Sequence, residues 1–316
     1  MKRLRGMRFR RALLAGIEWF SHYRQYVDSI NVFPVADGDT GKNMDHAFQA
    51  AGKAMAAVKG NNTSEIAWAA ARGALLGGRG CSGMILSGFF SGFAEGVGDR
   101  HTLTSQDLAL ALQIGSTRAR ERVEHPREGT ILSVGEAAAR KAAEGAKHDD
   151  NVFAVLQAAW QGAALALKET SKQLAVLQKH HVVDAGGQGL VFFLEGLVRY
   201  SLRQPLDAET ARASSPVTAA AIKKAVPVST PYKFCTELLL AAKPEATAGT
   251  LRQVLKPIGE HLMVALAPEH IFKIHIHVQE PELVFQRLAV WGTVTWRKVD
   301  NMAEQHHHTF GDQEEA

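Results

Sequence analysis

Residues 31–44 read NVFPVADGDTGKNM, a stretch that packs Asp37 and Asp39 around Gly38 in a segment that cannot be regular helix. Two carboxylates one residue apart can share divalent cations. Hard Mg²⁺ prefers oxygen ligands, keeps several waters and bridges carboxylates to substrate phosphates. DGD followed by Thr40, Gly41 and Asn43 therefore reads as a metal and phosphate corner. Its glycines let backbone N–H groups approach an anion closely. Asp-Gly pairs are also ordinary turn residues, and the stretch alone supports that reading equally.

Two more glycine-rich segments shift the balance. GGRGCSG (77–83) and DAGGQG (184–189) each open an apolar helical run, where helix N-termini offer free N–H groups to phosphate. Four segments in order, NVFPVADGDTGKNM, RGCSGMILSGFFSGF (79–93), PREGTILSV (126–134) and VVDAGGQGL (182–190), resemble the ATP-binding L domain of bacterial fatty acid kinases. That domain is a relative of the dihydroxyacetone kinase L subunit. YKFCTELLL (232–240), HIHV (275–278) and KVDNMAEQH (298–306) resemble the middle domain of the same kinases.

Composition agrees with this reading without producing it. The 316 residues suffice for about two domains, and 46% hydrophobic with 22% charged residues is ordinary for a globular protein. A net charge of +4 allows weak attraction to nucleotides, but no aromatic-basic stripe points to nucleic acid. The basic start MKRLRGMRFRRALLAGIEWF carries Glu18 and reads as an amphipathic first helix, not a signal peptide. No run of uncharged apolar residues is long enough to span a membrane. Cys81 and Cys235 are the only cysteines, which suits a reducing cytoplasm.

Ala- and Leu-rich runs predict eight helices, near 8–28, 42–59, 64–76, 82–97, 105–124, 130–146, 151–169 and 187–203. Thr63, Thr104 with Asp107, and Asp149 or Asp150 stand at their starts as expected caps. The count matches the eight-helix antiparallel α-barrel that the resemblance implies. Residues 1–205 are thus expected to form the nucleotide-binding helical domain, and 206–230, rich in proline, a linker. Residues 231–303 read as a ferredoxin-like βαββαβ domain, with strands at 232–241, 261–267, 271–278 and 293–300 and helices at 247–258 and 280–291. Residues 304–316 read as a tail.

Alternation along the third strand of that domain places Phe272, Ile274, Ile276 and Val278 on the helix-covered face and His275 and His277 on the other. In the first strand, Phe234, Leu238 and Leu240 face the helices and Cys235 shares the open side with the histidines. One thiolate and two imidazoles on neighbouring strands suit Zn²⁺, with His261, Glu237 or water as a fourth ligand. A strand with polar residues on its solvent side also explains HIH. The resemblance favours the metal, since the matching positions of the fatty acid kinase middle domain are proposed zinc ligands.

The resemblance also distributes the nucleotide chemistry. Asp37 and Asp39 would hold two Mg²⁺ ions on the phosphates of ATP, with Asn31 as candidate third ligand. Thr40, Asn43, Ser82 and Gly83 would donate hydrogen bonds to phosphate, with Gly78 and Gly80 permitting close approach. Arg79 either pairs with a phosphate or braces its loop. Thr130 and the Asp184 to Gly187 segment, including Gly186, would close over adenine and ribose, although Asp184 also suits a helix N-cap.

Departures from the family pattern include Lys42 for threonine, Cys81 for asparagine and Ala36 for proline. The chain stops soon after DNMAEQH, where full-length fatty acid kinases continue into a domain that docks an acyl-carrying partner. The expectation is the nucleotide-binding part of an ATP-dependent kinase whose acceptor is a fatty acid held by a separate binding protein, with a homodimer among the assemblies allowed. Alternatives are a non-catalytic nucleotide-binding regulator and a phosphotransferase of the dihydroxyacetone (glycerone) kinase type.

Overall fold

The structure, a computed structural model, describes residues 1–214 and 231–304. A minimal pair of strands, β1 (Leu4–Arg5) and β2 (Thr102–Leu103), ties the chain start to the turn before the sixth helix. The helices are α1 (Gly6–His22), α2 (Arg24–Ser29), α3 (Thr40–Ala56), α4 (Thr63–Gly77), α5 (Gly80–Val97), α6 (Ser105–Glu121), α7 (Ile131–Ala146), α8 (Val152–Gln173), α9 (Ala175–His180), α10 (Ala185–Leu202) and α11 (Ala208–Ser214). All eight expected long helices are present. The first is divided at Tyr23, where α1 ends and the short α2 begins.

Local signals account for most boundaries. Thr104 and Asp107 form a reciprocal capping box on α6, as the sequence predicts. Two expected caps move by one or two residues. Asn62, not Thr63, accepts from the Ser64 N–H at the start of α4, and Asn151, not Asp149 or Asp150, accepts from the Phe153 N–H at the start of α8. Asparagine caps as well as aspartate does, so the local preference alone could not choose between them.

Consecutive long helices from α3 to α8 pack on one another, α10 lies against α8, and α1 packs on both α10 and α3. The α1–α10 seam is tight. A Cβ on Gly196 would stand 2.6 Å from the Ala15 carbonyl oxygen and 2.7 Å from the Gly16 Cα. Within the bundle Phe48 stacks on Phe193 at 4.7 Å and tilts against Phe20 at 4.8 Å, contacts worth about 0.5–1.5 kcal/mol each beyond burial. The helices also enclose an apolar cavity lined by residues including Phe9, Leu13, Phe89, Phe93 and Leu112. Among the described residues no helix is long and apolar enough to cross a membrane.

The second unit is a four-stranded antiparallel sheet: β3 (Phe234–Ala242), α12 (Ala248–Leu255), β4 (Gly259–Ala267), β5 (Ile271–Val278), α13 (Pro281–Leu288) and β6 (Gly292–Asn301). Spatial order is β4-β5-β3-β6, so the first and third strands are the central neighbours. Register pairs Cys235 with His277 and Glu237 with His275. Leu238, Leu240, Phe272, Ile274, Ile276 and Val278 form the core under α12 and α13, as alternation predicts.

The other face of the sheet is not open. Met263 and Ala265 pack on Leu75 and Met84 of the helical unit, and Cys235 packs on Val35 beside Met302. The expected linker also needs correction at its start, because Ala208–Ser214 is helical and the Tyr23 hydroxyl donates to the Ala211 carbonyl at 3.0 Å. The rest of that segment, 215–230, and the tail beyond 304 lie outside the described residues.

Candidate functional site

Alternating helix direction brings the starts of α3, α5, α7 and α10 to one end of the bundle. Asn43 of α3 lies against Gly80, Gly189 of α10 abuts Met44 of α3, and Gly186 abuts Ile131 at the start of α7. Four helix N-termini facing one region make it electropositive through their unpaired N–H groups. The DGD corner stands in that region. Asp39 occupies the N-cap position of α3, yet its side chain makes no cap hydrogen bond. It bonds instead with the Asn43 side chain. The capping is done by Asp28 of α2, which sequence reading missed: its Oδ1 accepts from the Lys42 N–H at 3.0 Å.

Burial raises the Asp37 carboxyl well above the usual carboxylate range, and the neighbouring Asp39 raises it further. Burial also raises Asp39, which is pulled back down in part by Asn43 and by the positive charge of Lys298 on β6. Burial pushes Asp28 up to about 6, with Asp39 adding to the rise. Two desolvated carboxyl groups side by side, joined by a hydrogen bond, are a donor set that a divalent cation satisfies, so Asp37 and Asp39 fit Mg²⁺.

The remaining expected ligands divide into those facing the corner and those bracing it. Asn31 donates to Asp37 Oδ1 at 2.7 Å and to the Val35 carbonyl at 3.2 Å, while its own oxygen accepts from the Thr40 hydroxyl at 2.9 Å. It therefore holds Asp37 in place. The Thr40 proton goes to Asn31 and the Ser82 hydroxyl points at the Thr40 carbonyl at 3.4 Å, so both hydroxyls tie the two loops together. Gly78 and Gly83 serve the same contact, since a Cβ on either would meet the backbone of the other at about 3 Å. Gly80 has φ +55°, and a Cβ there would strike Asn43 Nδ2 at 2.3 Å.

Of the two roles open to Arg79, the structure shows the brace. Its guanidinium lies 4.0 Å over the Trp296 ring and 3.8 Å from Glu237 of the sheet. Glu237, 2% exposed, accepts from the Gly80 N–H at the start of α5. Lys273, fully buried, donates to the Leu76 and Gly78 carbonyls at the end of α4. Burial lowers the Lys273 ammonium to about 8, against the pull of Glu237. A buried carboxylate and a buried ammonium thus clamp the phosphate-loop candidate from the sheet side.

At the far end of the region Thr130 and Asp184 are both N-caps. Thr130 Oγ1 accepts from the Leu132 N–H and donates to the Arg127 carbonyl, and Asp184 accepts from the Gly187 N–H at 2.7 Å. Burial pushes Asp184 up to about 6 from an ordinary 3.8, against its backbone hydrogen bonds. A carboxyl that holds its proton more tightly when folded stabilises the fold fully below its unfolded pKa and loses that contribution as pH rises through its folded one. Between about pH 4 and pH 6 the native chain should lose about 3 kcal/mol from this group. Asp184→Asn keeps a capping side chain, so its unfolding midpoint relative to the native chain should climb over that interval; parallel pH profiles in urea titrations would refute the assignment.

The third constellation departs most from expectation. His275 Nε2 lies 3.2 Å from Cys81 Sγ, while its Nδ1 lies 3.4 Å from Glu237 and 3.6 Å from Cys235 Sγ. The donor atoms that gather within 4.8 Å of one another are those of Cys81, His275 and His277. Cys235, the sulfur of the expected set, lies 3.6 Å from His275 Nδ1 on the other side of the ring. The His261 ring stands 4.9 Å from that of His277. Burial and the neighbouring His275 and His261 hold His277 neutral, well below its ordinary range, and burial pushes the Cys235 thiol up to about 12.

Comparison with known proteins follows the same division of the chain. A DAK2 domain matches residues 34–199, and the FakA-like middle domain of fatty acid kinases matches 231–309. Protein YloV of Bacillus subtilis is 34% identical over 97% of this chain and 57% of its own length. An uncharacterized protein of Staphylococcus haemolyticus is 30% identical over 97% of this chain and 56% of its own length. The chain thus spans little more than half the length of these relatives. A crystal structure of dihydroxyacetone kinase from C. freundii, in complex with AMP-PNP and Mg²⁺, aligns with TM-score 0.46 at 16% identity, covering 60% of this chain and 33% of that one.

Proposed function

This chain belongs to the family that joins a DAK2 domain to a FakA-like fatty acid kinase middle domain, and on that premise we propose that it is the nucleotide-binding subunit of an ATP-dependent kinase. Its acceptor on this reading is a fatty acid carboxylate presented by a separate acyl-carrying binding protein. The observation that carries the proposal is the pair Asp37 and Asp39, buried side by side at a convergence of helix N-termini.

Phosphoryl transfer asks a protein mainly for positioning and charge compensation. A bound Mg²⁺ would supply charge neutralisation on the ATP phosphates. Asp37 and Asp39 would hold it, Asn31 orients Asp37, and Asn43 fixes Asp39 against the start of α5. The positive ends of α3 and α5 bind phosphate oxygens, with the Lys298 charge nearby. An acyl carboxylate oxygen attacks the γ-phosphorus, the bond to the β–γ bridging oxygen breaks, and ADP leaves as an acyl phosphate forms. The helical domain (1–205) is an antiparallel barrel and the sheet domain (231–303) ferredoxin-like on this reading, which the strand order and the α1–α10 contact support. Two unpaired cysteines agree with a cytoplasmic setting.

A second reading, a nucleotide-binding regulator without turnover, draws on Glu237, whose carboxylate already occupies an α5 N-terminal N–H. ATP hydrolysis and acyl phosphate formation, measured with Mg²⁺ in the presence and absence of an acyl-loaded fatty acid binding protein, separate the two. Partner-dependent products that vanish in Asp37→Ala support the kinase. Tight nucleotide binding with no turnover in either condition supports the regulator.

A further inference from the structure

We propose that Lys298 of β6 binds the γ-phosphoryl group of a nucleoside triphosphate held at the corner of Asp37 and Asp39, and that Asp300, on the same strand face, positions its ammonium. This rests on the nucleotide reading of that corner and deepens it.

β6 is pinned to the helical unit on either side of Lys298. Before it, Trp296 lies under the Arg79 guanidinium at 4.0 Å, beside the start of α5. After it, Met302, fully buried, packs with Val35, two residues ahead of Asp37. Register gives Lys298 and Asp300 one face, since they stand opposite Glu237 and Cys235, whose side chains meet the helical unit. The strand therefore carries Lys298 and Asp300 from the α5 loop to the approach of the DGD turn. Residues of α3 feel the result. The Lys298 charge pulls the Asp39 carboxyl down, and His46 is held below its ordinary range first by burial and then by the cations Arg79, Lys42 and Lys298, against Asp45.

Of these three cations, Arg79 is engaged by Trp296 and Glu237, and Lys42 is exposed. Lys298 is half-buried and donates to Asp300 Oδ2. An ammonium has three N–H donors, so two remain for phosphate oxygens. Burial opposes its charge, but the hydrogen bond and the charge of Asp300 outweigh burial and keep the ammonium protonated. Phosphoryl transfer spreads negative charge over the equatorial oxygens of the moving group, here beside two carboxylates. A lysine offsets that charge from the sheet side as a compact cation on a flexible stem, able to follow the group from nucleotide to acceptor. It gives up no proton and forms no bond to phosphorus.

The test is calorimetric titration of the full chain with AMP-PNP and with ADP, each with Mg²⁺. The two ligands differ by the γ group, so the ratio of their dissociation constants isolates it. Lys298→Met should weaken AMP-PNP by about 10–100-fold and leave ADP within about twofold, the loss expected of one charge-assisted contact. Lys298→Arg, which keeps the charge, should recover most of the preference for AMP-PNP. Asp300→Asn should lower that preference by less. The double variant should be no weaker than Lys298→Met alone, because Asp300 acts through Lys298. The double variant also removes the stranded carboxylate, so the same ratio can be read there if Lys298→Met does not fold. Equal losses for AMP-PNP and ADP, or an unchanged ratio, would overturn the proposal and leave the nucleotide reading standing. A native chain that binds neither ligand with Mg²⁺ would overturn both.

Discussion

Asp39→Ala should abolish Mg²⁺-dependent nucleotide binding and lower ATP turnover by at least about 10³-fold, because charge compensation on the phosphates is most of what phosphoryl transfer requires of a protein. The fold should survive the change. Asp39 does not cap α3, the Lys42 N–H is held by Asp28, and the bonds to Asn43 and Asp37 that the change removes are offset by relief of a buried charge beside Asp37. Without Mg²⁺ the variant should therefore melt no lower than the native chain. Calorimetric titration of ATP with and without Mg²⁺ reads the first effect and thermal unfolding reads the second. Unchanged Mg²⁺-dependent affinity would sink the metal assignment, and a collapsed melting temperature would return Asp39 to an ordinary structural turn residue.

Glu237→Ala should be the most destabilising of the changes considered, by about 3–5 kcal/mol, the usual cost of leaving a buried partner charge uncompensated. Its carboxylate serves the Gly80 N–H and lies beside Arg79 and His275, and its charge supports the buried Lys273 ammonium. Lys273 would keep only carbonyl partners at the end of α4. The loss falls on the contact between the units and not on either core, so differential scanning calorimetry should show the native transition splitting, with the sheet unit melting first. Glu237→Gln, which retains an acceptor, should fall between. A single transition at the native temperature in Glu237→Ala would show that the apolar patch of Leu75, Met84, Met263 and Ala265 carries the docking alone.

The polar face of the sheet is where reading the chain residue by residue went astray. HIHV correctly separates Ile274 and Ile276 from His275 and His277, because strand alternation is local. Nothing local says what the histidine face meets. It is covered by the α4–α5 junction, which makes Lys273, His275 and Glu237 buried groups and exchanges Cys235 for Cys81 as the sulfur nearest His275 Nε2. Lys273 and Glu237 are buried on that same sheet face, and no partner within either strand could have announced their burial.

The nucleotide corner divides in the same way. That Asp37 and Asp39 form a charged corner beside a helix start follows from DGDTG itself, since the turn and the helix are set by neighbours in the chain. That Asn31 braces Asp37, that Asp28 relieves Asp39 of capping, and that Gly78 and Gly83 serve backbone contact follow from folded packing. Side-chain amides and hydroxyls bond with whatever donor or acceptor the fold brings close, so their roles are assigned late.

By itself, then, the sequence determined the eight long helices, the order of strands and helices in the second unit, the two faces of its sheet and the carboxylate pair. Each rests on periodicity, capping or turn chemistry acting over a few residues. Tertiary structure alone decided that the sheet docks on the loop before α5, joining Gly80 to Glu237 across 157 residues and Cys81 to His275 across 194. Such contacts are selected by burying complementary apolar and charged surfaces, and a match between two distant surfaces leaves no period in either stretch of chain.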